Sequence, residues 1–269
     1  MRLPFFIWTL GLCCVTFFPP TAKGAAIASP LSGAHAHNDY EHVRPLFDAL
    51  DQGFCSVEAD IHLVNGKLLV AHALSATRPE RTLERLYLDP LRDRVKANHG
   101  RVYPQVPDFT LLIDVKTDAE STYRVLREVL HRYRPVLTEF TSTETRRGPI
   151  TVILSGERPI QTLSRERVRW CAIDGRLPDL ETNPSVHLVP WVSSSWLDAF
   201  SWRGEGEIPP AEELKLRELV SKAHAQGRRI RFWGTADDPR GWQVLHRAGV
   251  DLLNADDLSA LRKFILANP

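Results

Sequence analysis

Residues 109–116 read FTLLIDVK, an apolar run that ends in two charged side chains. A helical pattern, AESTYRVLREVLHRY, follows at residues 119–133, and its apolar residues recur three and four positions apart. Buried strands of parallel sheets are almost continuously apolar, and a helix must connect each one to the next. This stretch therefore predicts one strand–helix unit of an α/β protein.

The same unit recurs along the chain. Outside residues 109–116, the apolar runs are GFCSVEADI (53–61), KLLVAH (67–72), ITVILSG (150–156), VRWCAID (168–174), HLVPWV (187–192), RRIRFW (228–233) and GVDLLNA (249–255). Eight strand candidates alternating with helices predict a single (β/α)8 barrel over residues 25–269. A doubly wound open sheet is the alternative, but the sequence has neither a GxGxxG nor a Walker A motif to support its nucleotide-binding form.

The first residues, MRLPFFIWTLGLCCVTFFPPTAKG, have a basic start, an apolar run and a small-residue end. This order is typical of a secretory signal peptide, which we place at residues 1–24. A transmembrane anchor is the alternative, but the apolar run is shorter than the roughly 20 residues that span a bilayer. The mature protein is therefore expected to be secreted or periplasmic.

The composition limits the classes of partner and the number of cysteines that could form a disulfide. The formal net charge is +1 and 43% of the residues are hydrophobic, which is ordinary for a globular protein and gives no support to nucleic-acid binding. Cys13 and Cys14 would leave with the signal peptide, so Cys55 and Cys171 remain. An oxidising compartment allows these two to pair, and two separate buried thiols are the equal alternative.

Three carboxylates lie near the ends of strand candidates. Glu58 and Asp60 are two residues apart in SVEADI, and Asp114 and Lys116 are two apart in LLIDVKT. Residues two apart on a strand point to the same side. Carboxylates that converge in an apolar sheet need a compensating cation, and oxygen ligands favour Mg²⁺ first, with Ca²⁺ or Mn²⁺ as alternatives. The sequence therefore predicts a site for one divalent cation.

Histidines accompany these carboxylates. His72 closes KLLVAH, and His35 and His37 stand before Asn38 in GAHAHNDYEH. Histidine has the side-chain pKa nearest neutrality, so two histidines around a cation and a lysine can act as an acid–base pair on an anion. A phosphodiester is the anion that this combination suits.

The order His35 … Glu58-x-Asp60 … His72 … Asp114-x-Lys116 resembles the glycerophosphodiester phosphodiesterases and sphingomyelinase D-type enzymes of the phosphatidylinositol phospholipase C-like superfamily. More closely, residues 35–72 together with RTLERLYLDPL and RFWGTADDPRGWQVLHRAGVDLLNADD resemble the altered inheritance of mitochondria protein 6 group. This resemblance implies a TIM barrel with divalent-metal phosphodiesterase activity. It further implies metal ligands at Glu58, Asp60 and Asp114, catalysis by His35 and His72, and substrate contacts from Lys116 and Trp233.

The resemblance is less specific for the first histidine and for the substrate. The His-x-x-Asn spacing of the family falls on His35 and Asn38, so we assign catalysis to His35 and expect His37 to line the same face, with Asn38 orienting a ligand or loop. Ala73 stands where the family often has Asp, and Asp114 stands where many relatives have Glu. These departures leave the alcohol of the substrate open, and also the choice between hydrolysis and a cyclic phosphate.

Two other functions remain as alternatives. HAH at residues 35–37 is also the H-x-H metal motif of amidohydrolase and PHP-type barrels, although those need further histidines at later strand ends. A barrel retained as a non-catalytic binding module is the second alternative. In the preferred interpretation the partner is a small-molecule or lipid phosphodiester, reached through transient contact with a membrane surface, and the oligomeric state is left open.

Overall fold

The centre of the fold is a nearly closed barrel of eight parallel strands, as predicted. The computed structural model describes residues 28–105 and 108–269, and the predicted signal peptide at residues 1–24 lies outside them. The barrel strands are β1 (Leu31–Ala36), β2 (Phe54–Val64), β4 (Phe109–Val115), β7 (Ile150–Gly156), β8 (Ala172–Gly175), β9 (Trp191–Ser195), β10 (Arg229–Trp233) and β11 (Leu253–Ala255).

The strands follow the order β10-β9-β8-β7-β4-β2-β1-β11, and a parallel bridge from Arg231 to Leu252 brings the two ends together. The register pairs Asp60 of β2 with Asp114 of β4, and Asp114 with Ser155 of β7. Because parallel strands end on the same side, this register sets polar side chains next to each other at one end of the barrel.

One predicted barrel strand has a different place. Residues 67–72 were predicted to form a barrel strand, but β3 (Lys67–Val70) pairs antiparallel with the upper part of β2 as a hairpin. The eighth barrel strand is instead β1, the short segment that carries His35. The reason is local: Asn65 and Gly66 both have positive φ, which suits a two-residue hairpin turn and leaves no room for a crossover helix.

Helices cover the outside of the barrel. They are α1 (Phe47–Asp51), α2 (Asp89–Ala97), α3 (Ala119–Tyr133), α4 (Ile160–Arg165), α5 (Asp179–Thr182), α6 (Trp196–Ala199), α7 (Pro210–Ala225), α8 (Pro239–Ala248) and α9 (Leu258–Ala267). Aspartate caps begin several of them: Asp118, Asp238 and Asp257 each accept a backbone N–H of the first turn. The remaining described elements are a small antiparallel pair, β5 (Glu139–Phe140) and β6 (Thr145–Arg146), a π-helical turn at Glu84–Leu88, and 3-10 turns at Asp39–Glu41, Leu74–Ala76 and Arg134–Val136.

Two apolar clusters support the barrel. The larger lies between the sheet and the helices, and the smaller contains Leu112, Phe140, Ile153, Ala172, Trp191 and Leu252. Leu112 and Ile153 lie two residues before Asp114 and Ser155, so the smaller cluster shares the strand face that carries the polar groups.

The cysteine question has a clear outcome in the structure. Cys55 and Cys171 are separate buried thiols, and burial raises the thiol pKa values to about 11 and about 12. None of the described helices is both long enough and apolar enough to cross a membrane.

Candidate active site

A cleft of about 280 Å³ opens at the carboxyl end of the barrel strands. Its walls come from six of the eight barrel strands or the loops after them, and most of its lining groups are polar. They are His37, Asn38, Glu58, His72, Asp114, Lys116, Ser155, Gly156, Arg176, Arg231 and Trp233. The cleft therefore joins most of the residues that the sequence singled out.

An acidic cluster forms one side of this cleft. Glu58, Asp60 and Asp114 each offer a carboxylate oxygen, and these oxygens lie within 4.8 Å of one another. Asp60 Oδ1 and Asp114 Oδ1 are buried and have no hydrogen-bond partner among the described residues. A side chain at Gly156 would collide with Asp114 Oδ1, so the glycine keeps that space open. Unpaired, converging carboxylate oxygens are what a divalent cation binds, so the residues fit one.

The protonation of these carboxylates differs from one to the next. Burial opposes the ionisation of Glu58, but the hydrogen bond from His35 and the charge of Arg231 hold its pKa well below the usual range. Burial and then the charge of Glu58 raise the pKa of Asp60 to about 6, and burial raises that of Asp114. Three ionised carboxylates are thus unfavourable together unless a positive charge joins them.

Lys116 supplies part of that charge. Its Nζ lies 2.6 Å from Asp114 Oδ2 and 3.0 Å from Asp60 Oδ2, as the shared face of Asp114 and Lys116 predicts. Burial would lower the pKa of Lys116, but the two carboxylates raise it, so the ammonium stays charged. The lysine uses one oxygen of each aspartate and leaves the other oxygen of each unpaired.

His35 lies deeper than its predicted catalytic role requires. Its side chain is fully buried, Nδ1 lies 2.7 Å from Ser56 Oγ, and Nε2 lies 2.7 Å from an Arg231 nitrogen and 3.2 Å from Glu58 Oε2. Burial and then Arg231 lower the pKa of His35 to about 3. Both ring nitrogens are engaged, and His35 is not among the lining residues of the cleft. The structure thus places His35 beneath the cleft as a support for Glu58.

His37 and His72 are the histidines that face the cleft. His37 Nδ1 lies 3.0 Å from Asp256 Oδ1 and 3.0 Å from the Asn38 amide nitrogen, and His72 Nδ1 lies 3.2 Å from Asp60 Oδ2. The Nε2 atom of each ring has no hydrogen-bond partner among the described residues. One nitrogen held and the other open is the arrangement of an orientated acid or base.

Tyr40 is a buried link that the sequence did not reveal. Its hydroxyl lies 2.7 Å from Asp60 Oδ2, 2.7 Å from Asn38 Oδ1 and 3.1 Å from His72 Nδ1. In the sequence, Tyr40 carries no signal of this role. Only the fold reveals it, because Asn38 has φ of +48° and the chain turns there, and the Tyr40 hydroxyl then reaches Asp60 and His72.

Two arginines of the cleft were also missed. Arg231 on β10 donates to Glu58 Oε2 over 3.0 Å, and Arg176 after β8 donates to Asp174 Oδ2 over 3.0 Å. Arg231 lies in the arginine-rich run RRIRFW and Arg176 is a lone arginine in the loop DGRLP, and in neither place does the arginine give a distinctive signal. Ser155, near the end of β7, accepts from Arg176 and donates to Asp174.

These arginines belong to an alternating Arg–Trp column, made of Arg229, Trp191, Arg231, Trp233 and Arg176. Arg229 and Arg231 lie 5.7 and 5.8 Å from the centre of the Trp191 ring. Arg231 and Arg176 lie 5.9 and 5.0 Å from the centre of the Trp233 ring. Because residues 229, 231 and 233 share one face of β10, the column runs along the barrel from its floor to the cleft.

The H-x-H metal alternative finds no support in this arrangement. Among the described residues, the group that could hold a metal is Glu58, Asp60 and Asp114, with no histidine in it. Of the later histidines, His187 bonds to Thr145 and His224 bonds to Asp251, both outside the cleft. An H-x-H site would need such histidines beside residues 35–37.

Solved structures show the same fold. A calcium-dependent phosphoinositol-specific phospholipase C from a Gram-negative Pseudomonas species has a TM-score of 0.56 at 14% identity, covering 88% of this chain and 93% of that one. A putative glycerophosphoryl diester phosphodiesterase from Silicibacter pomeroyi has a TM-score of 0.51 at 14% identity, covering 90% of this chain and 94% of that one. This chain thus shares its barrel fold with both proteins, the first of which is described as a calcium-dependent enzyme.

Sequence relatives are closer. The altered inheritance of mitochondria protein 6 homolog of Arthroderma benhamiae is 31% identical over 261 residues, covering 86% of this chain and 82% of the relative. The protein of that name from Eremothecium gossypii is 31% identical over 304 residues, covering 95% and 76%. The family model described as the AIM6-like phosphodiesterase domain matches residues 28–171, which include both cleft histidines and all three carboxylates. The chain is therefore a member of the AIM6-like phosphodiesterase domain family.

Proposed function

We propose that this protein is a divalent-metal-dependent phosphoric diester hydrolase whose acid–base pair is His37 and His72. The observation that carries the proposal is the meeting, in one cleft, of two histidines with open Nε2 atoms and aspartates with unpaired oxygens. His37 takes the place that the sequence gave to His35, because only His37 faces the cleft. The substrate is a glycerophosphodiester or a phospholipid-type diester.

Glu58, Asp60 and Asp114 would hold the cation, with Mg²⁺ as the first expectation and Ca²⁺ or Mn²⁺ as alternatives. When bound, the cation supplies positive charge to a phosphate oxygen. Arg231 keeps Glu58 ionised and, together with His35, holds it in position, and the Tyr40 hydroxyl donates to Asp60 and orients it. Lys116 lies at the edge of this cluster, where its ammonium can contact a second phosphate oxygen.

The two histidines move the protons. One accepts a proton from the attacking water, or from a neighbouring hydroxyl of the substrate, as its oxygen bonds to phosphorus. The other donates a proton to the alcohol oxygen as the old bond to phosphorus breaks. Asp256 at His37 and Asp60 at His72 lie beside the Nδ1 atoms, so each ring can carry the positive charge that it gains. Water gives hydrolysis, and an internal hydroxyl gives a cyclic phosphate.

The proposal extends to where the enzyme works and to the surface on which it meets its substrate. With a signal peptide at residues 1–24, the enzyme would work outside the cytoplasm, in the periplasm or after secretion. Exposed apolar side chains lie in segments that follow the carboxyl ends of strands: Val43, Ile160 and Leu197 follow β1, β7 and β9, and Leu74 follows His72. Such side chains on the substrate-binding face support transient contact with a lipid surface.

The test is turnover of bis(p-nitrophenyl) phosphate by the purified protein, with EDTA or with added Mg²⁺, Ca²⁺ or Mn²⁺. We expect metal-dependent release of nitrophenol, and a loss of about 100-fold or more in His37→Ala and in His72→Ala at unchanged melting temperature. His35→Ala is the matched comparison, and it should lower the melting temperature because it removes a buried, hydrogen-bonded ring.

Two outcomes would contradict this proposal. Full activity in His37→Ala, with activity lost in a stable His35→Ala, would return the catalytic role to His35. A folded protein that binds no metal by calorimetry and hydrolyses no diester would instead favour the binding-module alternative.

A further inference from the structure

A second cavity, of about 130 Å³, lies at the amino end of the barrel strands, opposite the cleft. Four of its lining residues stand at the first or second position of β4, β7, β9 and β10, and they are Thr110, Thr151, Trp191 and Arg229. Thr110 comes four residues before Asp114 on β4, and at about 3.3 Å per residue this puts the cavity about 13 Å below the cleft. Among the described residues, none lines both spaces. We call this second space the floor cavity.

The lining of the floor cavity is rich in hydroxyl groups. It includes four threonines, and two of them, Thr138 and Thr151, bond to each other over 2.8 Å. A third, Thr145, has its Oγ1 atom 2.9 Å from His187 Nδ1. The fourth, Thr110, is only 6% exposed, and its hydroxyl has no hydrogen-bond partner among the described residues. A buried hydroxyl without a partner is costly unless a group in the cavity bonds to it.

Arg229 brings a positive charge to the same cavity. One of its nitrogens donates to the carbonyl oxygens of Ser32 and Asp251, over 3.1 and 3.5 Å, and its other two nitrogens have no hydrogen-bond partner among the described residues. The Asp251 carboxylate is engaged elsewhere, by the Ile230 N–H over 2.8 Å and by His224 Nε2 over 2.9 Å. In the described part of the chain Arg229 therefore has no ion pair, although burial lowers its pKa. Guanidinium groups stay charged in proteins, so a charge withdrawn from water here lacks a counter-ion.

The rest of the lining decides the sign and the size of what fits. Arg147 and Asp108 form an ion pair with each other at the cavity. With Arg229, the lining residues carry two positive charges and one negative charge, a formal sum of +1. A volume of about 130 Å³ takes about four water molecules at roughly 30 Å³ each, so a group of four or five heavy atoms fits. A cation would be repelled, and water alone would leave Arg229 without a counter-charge.

We propose that the floor cavity is a binding site for a small oxyanion, of the size of phosphate or acetate, and that Arg229 and Thr110 hold it. The Arg229 guanidinium supplies the charge and two free donor nitrogens, and the Thr110 hydroxyl donates a third hydrogen bond. Hydrogen bonds between a guanidinium and an oxyanion are roughly twice as strong as those between neutral groups. The site is separate from the cleft and does not depend on phosphodiesterase activity.

Calorimetry on the full protein in EDTA tests this proposal, with inorganic phosphate and acetate as the two probes. EDTA leaves the three carboxylates of the cleft without a cation, so they repel anions there. We expect one saturable site per chain, and the probe that binds more tightly identifies the ligand as phosphate or carboxylate. Thr110→Val keeps the shape of the side chain and should weaken binding about tenfold or more, the scale of one hydrogen bond to a charged group. Its melting temperature without anion should match that of the parent, because the deleted hydroxyl has no partner among the described residues.

Two further variants locate the bound anion. Arg229→Gln should abolish binding, and Thr110→Val keeps the test valid should Arg229→Gln fail to fold. Lys116→Gln removes an ammonium group from the cleft and is the control, which should bind the anion as tightly as the parent does. Binding that is lost in Lys116→Gln and kept in Thr110→Val would place the anion in the cleft and overturn the proposal. The absence of binding by either probe would overturn it too.

Discussion

Replacing Gly156 by alanine should impair metal binding through a single methyl group. Gly156 ends β7 with φ of +67°, and a Cβ there would collide with Asp114 Oδ1 and with the Val115 carbonyl. Alanine in a left-handed conformation costs about 1–2 kcal/mol in stability. Because Asp114 must also move, one of the three carboxylates leaves the cluster. We therefore expect metal affinity to fall by about tenfold or more, which corresponds to a loss of about 1.4 kcal/mol or more in binding free energy.

Gly66 provides the matched control. Its φ is +74°, and a Cβ there would meet nothing within 4 Å. Gly66→Ala should therefore show the conformational cost alone, measured as the free energy of unfolding in urea, and should bind Mg²⁺, Ca²⁺ or Mn²⁺ with the parent affinity in calorimetry. If Gly156→Ala binds metal as tightly as Gly66→Ala does, Asp114 is not a ligand and the space beside it serves another purpose.

Three further changes test other parts of the site. Burial raises the pKa of Asp39 from 3.8 to about 7, so folding favours its protonated form and the parent loses stability as pH rises through this range. Asp39→Asn should gain up to about 4 kcal/mol on the parent between pH 4 and 7 in urea unfolding, and a difference that stays constant over this range would contradict a buried, protonated carboxyl at position 39. Tyr40→Phe should lower kcat about tenfold with KM nearly unchanged, because His72 and Asp60 lose a common partner; an unchanged kcat would show that the hydroxyl does not position them. Leu74→Ser with Val43→Ser should reduce turnover of a vesicle-embedded phosphodiester and spare a soluble one, and equal loss on both would exclude lipid contact at this face.

The fold was largely predictable because its signals are local. Apolar runs that alternate with helical patterns predict a parallel α/β barrel. Because side chains alternate along a strand, Glu58 is predicted to lie on the same face as Asp60, and Asp114 on the same face as Lys116. Both expectations agree with the structure. The hairpin at β3 escaped prediction, since an apolar run does not reveal the direction in which it pairs.

The depth of a residue in the barrel is not a local property. His35 and His37 share a face, so the sequence predicts that both lie inside the barrel. It does not predict the height of each residue along the barrel axis. Height depends on the stagger between strands, which pairs His35 with Ser56 on one side and with Asn254 on the other. Arg231 was missed for the same reason. It acts in the site through its hydrogen bond to Glu58, which is distant in sequence and becomes adjacent only when the barrel closes.

The Arg–Trp column constrains how this sequence can drift over evolutionary time. Losing Arg231 alone would leave Glu58 buried without its partner, at a cost of about 3–5 kcal/mol in stability. Losing Trp191 alone would remove the aromatic ring that two guanidinium groups contact. Substitutions at positions 191, 229, 231 and 233 should therefore occur together across descendants of this gene, because a protein with only one of them would fold poorly. Arg176, the member of the column at the mouth, is under the same constraint, because its replacement would leave the buried Asp174 without its ion pair.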